Sequence, residues 1–174
     1  NDWDVLVAVG ATTRYVGDAL ALVVCEREAD LDEVIGVIDV RYTVLVPVTS
    51  PEQALAPGAP LLHPGGNVLT REEVDRGDAD AALAASAFVV SNTFHTPWQE
   101  HAFMEPECAV ARPWGDGGVE VFTSGQSVYD EQREISRMLG LPPEKVHAHS
   151  MLVGGGFGGK EDMSVQHHAA LAAW

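Results

Sequence analysis

Five of the six positions from Gly154 to Gly159 are glycine, and the exception is Phe157. Glycine loses more backbone entropy on folding than any other residue, so such a run weakens a helix or strand. What it offers instead is access to positive φ and a bare backbone, so that main-chain N–H groups can approach a ligand closely. An apolar segment, 146–153, leads into the run with strand character, and 161–174 leads out of it with helix character. Strand, glycine loop and helix together form a geometry that holds an anionic group at a helix N-terminus. A tight structural turn is the simpler alternative, although one or two glycines would suffice for it.

Two nucleotide patterns fit the loop by spacing. Gly154, Gly159 and Lys160 satisfy G-x-x-x-x-G-K, the phosphate loop. The position after the lysine should then hold a Ser or Thr hydroxyl for magnesium. Here it is Glu161, whose carboxylate would repel a triphosphate. Gly154, Gly156 and Gly159 also satisfy G-x-G-x-x-G. The acidic residue that should follow about twenty positions later falls beyond Trp174, so that pattern stays open.

The formal net charge of −16 excludes a phosphate-backbone binder and an anionic membrane surface as partners, because both require basic patches. No apolar run approaches the ~20 residues that span a bilayer. Cys25 and Cys108 lie far apart in apolar stretches and are expected as buried thiols in a reducing, cytoplasmic compartment. No cysteine cluster suits an iron–sulfur centre. The chain opens without methionine or a secretory signal and stops inside an apolar run, so it reads as a piece of a longer polypeptide.

Periodicity predicts a mixed architecture of α+β class. Strands are expected at 19–25, 40–46, 87–95, 108–112, 119–123 and 146–153. Helices are expected at 28–38, 52–56, 78–86, 130–139 and 161–174, with a turn at 114–118. Gly140 and Pro142-Pro143 stop the helix that ends at Leu139. The proline- and glycine-rich stretch 47–64 marks a domain boundary, expected between Pro47 and Thr70.

Histidines permit a metal reading. His147 and His149 share a face of their strand, and His167-His168 would diverge on a helix, yet no third ligand completes a zinc site. Satisfied or surface histidines are the better expectation. Gln126 sits where a strand gives way to a helix, and its amide can donate to one ligand atom while accepting from another. A helix-capping amide is its ordinary alternative. Glu161 has a similar alternative, as an acid in a first helical turn.

Four segments resemble the molybdenum hydroxylases, the xanthine dehydrogenase and aldehyde oxidase family, in the same order. They are Val16-Gly17-Asp18 with the apolar run after it, Gln99-Glu100-His101-Ala102-Phe103-Met104-Glu105, Thr123-Ser124-Gly125-Gln126, and Gly154 to Glu161. The stretch 160–168 is most similar to the xanthine dehydrogenase-like branch. The resemblance implies residues 1–57 of a small α/β hammerhead-like domain, followed over 58–174 by the first part of a molybdopterin-binding α+β domain. It implies that Gln126, Gly155, Gly156, Phe157 and Gly158 contact molybdopterin, with Gln126 and Phe157 next to molybdenum. Glu161 would orient a purine or related N-heterocycle that is hydroxylated with water-derived oxygen. Iron–sulfur clusters and FAD would lie on other domains or subunits. The general-base glutamate of the family would lie outside this chain, so the piece alone is expected to hold no cofactor and to be inactive. The 99–107 segment would be structural.

Overall fold

A computed structural model describes residues 4–174. Two compact units are present. One is formed by the residues up to Asp39 together with Gln99–Trp174, the other by Val40–Trp98. The first contains α1 (Leu31–Gly36), β1 (Ala109–Trp114), β2 (Gly118–Thr123), α4 (Val128–Leu139), β3 (Val146–Ser150) and α5 (Gln166–Ala173). The second contains α2 (Pro51–Leu55) and α3 (Ala79–Ala85). The class is α+β.

The first unit is organised by one mixed sheet in the order β1-β2-β3. β1 and β2 form an antiparallel hairpin in which Arg112 faces Glu120 and Trp114 faces Gly118. Gly115 and Gly117 in its turn have φ of +55° and +69°, which glycine adopts without cost. β2 and β3 run parallel, Val119 opposite Val146, so the chain must cross over between them, and α4 makes that crossing. Val119 and Val121 of the central strand, Ile135 and Leu139 of α4, Val146 of β3 and Ala170 of α5 form the buried core. α4 ends at Gly140, with φ +66° and the Leu141 N–H returning to the Ser136 carbonyl at 2.9 Å.

The second unit is built differently. Ser50 caps α2 by accepting from the Gln53 N–H, and Asp78 caps α3 by accepting from the Ala81 N–H. Asn67 ties the intervening loop together by donating to the carbonyls of Ala54 and Pro60 and accepting from the Leu62 N–H. No residue of 40–98 is buried.

The expected strands at 19–25, 40–46 and 87–95 have no ladder here. Their apolar content is real, but a strand needs a ladder of bonds to a neighbour; at 19–25 the Val7 N–H donates to the Ala19 carbonyl at 2.8 Å, and no ladder grows from that bond among the described residues. The expected helix at 161–174 begins at Gln166 instead. The cysteine expectation also needs correction: Cys108 is exposed and Cys25 half-buried, both as free thiols. No helix is long and apolar enough to cross a membrane among the described residues.

Candidate functional site

The strand-to-helix turn after β2 and the glycine loop after β3 meet because their strands are neighbours in parallel. Thr123 stands opposite Ser150 at the same end of the sheet, and the Met151 N–H donates to the Thr123 carbonyl at 2.8 Å. Both loops therefore emerge side by side at the C-terminal edge of β2 and β3, where ligand sites of such crossovers are built.

Gln126 joins them. Its backbone N–H donates to the Lys160 carbonyl at 2.8 Å. Its side-chain Oε1 accepts from the N–H groups of Gly158 at 3.0 Å and Lys160 at 3.2 Å. A Cβ at Gly156 would collide with the Gln126 carboxamide, so the bare backbone at that position is a packing requirement. The sequence allowed Gln126 to accept from a ligand as well as donate to one. The structure commits its oxygen to the loop and leaves Nε2, a pure donor, as the outward end. The N–H groups of Gly155, Gly156 and Phe157 likewise have no partner among the described residues.

The glycines divide by role. Gly155 and Gly158 have φ of +99° and +88°. Gly154 lies so close to Glu105 that a Cβ would fall 2.7 Å from the Glu105 Cβ, and Gly159 lies equally close to the His101 ring and near Phe103. Phe157 itself has φ +53°, an uncommon conformation for a residue with a side chain, and its ring is exposed.

Lys160 is fully buried and points inward. Its Nζ donates to Glu105 Oε2 at 2.8 Å and sits 4.7 Å from the centre of the Phe103 ring. The same Glu105 oxygen accepts the Gly154 N–H at 2.7 Å. Glu105 thus pins both ends of the loop. The Lys160 ammonium, and after it the Gly154 N–H, hold its carboxyl below the usual carboxylate range. A phosphate could recruit Lys160 only by breaking this pair, so the geometry does not favour the phosphate-loop reading.

The cradle at a helix N-terminus is also not formed. Between Lys160 and α5 lies an irregular stretch in which Gln166 Oε1 accepts from the N–H groups of Ser164 and Val165, both at 3.0 Å. Glu161 lies exposed at the start of this stretch and is not in a first helical turn.

His167 and His168, expected to diverge, instead meet with ring centres 3.9 Å apart, and His147 and His149 lie in ring stacks. His147 stacks on Trp114 with ring centres 3.6 Å apart, and His149 stacks on Phe122 and meets Glu120 at 2.9 Å. Among the described residues no group of three or more His, Cys, Asp or Glu side chains could hold a metal ion.

Residues 62–174, well over half of the chain, match the family model of the molybdopterin cofactor-binding domain. The chain belongs to that family. Curated relatives agree. The chain is 39% identical over 160 residues to a probable xanthine dehydrogenase subunit of Bacillus subtilis (strain 168), covering 92% of this chain and 22% of the relative. It is 34% identical over 161 residues to the nicotinate dehydrogenase large molybdopterin subunit of Eubacterium barkeri, covering 92% and 38%. A xanthine dehydrogenase molybdenum-binding subunit of Escherichia coli O157:H7 is 30% identical over 158 residues, covering 91% and 21%. The chain thus spans only part of the length of each relative.

The sequence singles out Gln126 and the glycine loop as candidates, which the structure brings together, but not Glu105, which holds the loop. The signal for Glu105 was present: a loop lysine followed by an acid instead of a hydroxyl residue has no phosphate to serve and requires a counter-ion.

Proposed function

We propose that this chain is part of the molybdenum-bearing subunit of a hydroxylase of the xanthine dehydrogenase type, acting on a purine or related N-heterocycle. The observation that carries the reading is the Gln126 clamp: an amide oxygen locked into a glycine loop, with its Nε2 and the N–H groups of Gly155, Gly156 and Phe157 left as donors. Uncommitted donors on bare backbone suit a cofactor rich in oxygen and sulfur acceptors. Molybdopterin fits the residues present, because the N–H groups of Gly155, Gly156 and Phe157 have no partner among the described residues and Phe157 is already held at positive φ. When bound, it supplies the metal centre and its two-electron redox chemistry.

The chain's own residues then have separable tasks. Gln126 donates from Nε2 to the cofactor, and the loop peptides at 155–158 line it. Gly158 contributes through its bare backbone, since its N–H is given to Gln126. Glu161 orients the heterocycle by accepting from ring N–H groups. Xanthine and nicotinate, after which the relatives are called, are both nitrogen heterocycles, which supports this class. The reading retains residues 1–57 as part of a hammerhead-like domain and 58–174 as the start of the cofactor domain. The family match begins at residue 62, whereas the compact units divide after Asp39 and after Trp98. The proposed reading also puts iron–sulfur clusters and FAD on other domains or subunits, the enzyme in the cytoplasm, and the isolated chain without cofactor or activity.

The test uses the full-length protein that carries this chain. Glu161→Ala should lower turnover of the heterocycle about ten- to a hundredfold, the loss of one charge-assisted contact, with molybdenum content unchanged. Unchanged turnover removes Glu161 from substrate binding, and absence of molybdopterin from the wild-type protein overturns the whole reading. Calorimetry with magnesium–ATP and with NAD should show no binding.

A further inference from the structure

The buried stripe of α4 runs Glu131, Ile135, Leu139, at intervals of four, and its first member is a carboxylate. Glu131 is 1% exposed. A buried carboxylate is costly, and an apolar residue of similar size in the same stripe would pack without that cost. The contacts of Glu131 indicate what it does. Its Oε1 accepts from the Thr123 hydroxyl at 3.3 Å and from Gln166 Nε2 at 3.2 Å. Thr123 Oγ1 in turn accepts the Gly125 N–H at 2.9 Å, and a Cβ on Gly125 would fall on Glu131 Oε1. Gln166 is itself buried, and its Oε1 holds the N–H groups of Ser164 and Val165.

One carboxylate oxygen therefore receives two threads. One runs through Thr123 and Gly125 to Gln126, the other through Gln166 to the stretch that begins at Glu161. We infer that Glu131 is a positioning residue that fixes the glutamine turn and the Glu161 segment relative to each other through the buried Glu131–Thr123–Gln166 network. Above this network the Gln126–Lys160 bonds join the same two segments, so the pair is held from both sides. Burial pushes the Glu131 carboxyl up, against the two bonds to Oε1. Its Oε2 is buried with no hydrogen-bond partner among the described residues, where the bonds go to Oε1.

The inference rests on the molybdenum hydroxylase reading for its catalytic consequence but not for its structural one, and the test separates the two. In the full-length protein, Glu131→Gln keeps an acceptor at Oε1 and should retain turnover per bound molybdenum within about twofold. Glu131→Ala should lower turnover per bound molybdenum about tenfold or more at temperatures where the protein stays folded. It should also speed hydrogen exchange of the Gly158 and Lys160 amides, which Gln126 otherwise protects. A residue serving only the core would lower stability and leave both quantities unchanged in the folded population, and that outcome overturns the inference. If Glu131→Ala does not fold, Thr123→Val removes one thread while leaving the carboxylate in place; unchanged exchange at Gly158 and Lys160 in that variant overturns it equally. A wild-type protein without molybdenum refutes the proposed function, while the exchange measurements still decide the role of Glu131.

Discussion

The stretch 109–150 and the stretch 40–98 carry similar apolar patterns and come to opposite ends. In the first, Val119, Val121 and Val146 are fully buried because each strand has a neighbour and two helices close over the sheet. In the second, Phe88, Val90 and Phe94 are as apolar, yet they are 91%, 84% and 85% exposed. Periodicity states which face of a segment is apolar. It does not supply the partner against which that face is buried, and burial is what stabilises.

Substitutions should reproduce this contrast, and the largest effect belongs to the central strand. Val121→Asp places an unpaired charge in the core and should cost more than about 4 kcal/mol, seen as loss of exchange protection across 119–150 with little change over 40–98. Gly156→Ala should cost about 1–2 kcal/mol, because the added methyl displaces the Gln126 carboxamide and its two bonds to the loop. Denaturant midpoints together with molybdenum content in the full-length protein would check this, with the site losing more than the fold.

A pH series sharpens the comparison further. Burial, with neighbouring His168 as a smaller cause, lowers the His167 pKa from 6.5 to about 4. The folded state resists the proton that the unfolded state accepts, so stability present above pH 6.5 is lost as pH falls toward 4. The loss should not exceed about 2 kcal/mol once solvent screening is allowed for. Glu131 is shifted upward and acts with the opposite sign, favouring the folded state at low pH and losing that contribution as pH rises. His167→Gln should flatten the acid side of the stability profile. The smallest effect is expected in the second unit, where Phe88→Ala should change stability by less than about 0.5 kcal/mol. A large loss there would mean that its apolar face is covered in the full-length protein.

Much of the sheet was legible in the sequence. β1, β2, α4 and β3 lie within two or three residues of their expected ranges because glycine and proline punctuate them and their periods are unambiguous. The helix expected from Glu161 failed for a reason outside local propensity: Lys160 is bound front and back to Gln126, and Gln166 takes the next amides, so the backbone is committed before a helix can begin. In the candidate site, residue types singled out Gln126 and the loop, and the structure brings the two together. The need for a counter-ion to Lys160 was signalled, but not that Glu105 supplies it, nor that Glu131 bonds Gln166, because ties across 49 and 35 residues leave no spacing signature. The one hint for Glu131 was an acid at the head of the 131/135/139 stripe.

The orientation of the Gln126 amide has a consequence for timing. With Oε1 held by two loop N–H groups, the direction in which Nε2 points is set when the chain folds, and a ligand meets a donor already aimed. The ordering entropy of that side chain is spent before any encounter, so it does not weaken the encounter itself. A glutamate of the same shape at this position would keep the loop bonds and reverse the outward polarity, leaving a finished cradle that repels the acceptor the proposed function brings to it.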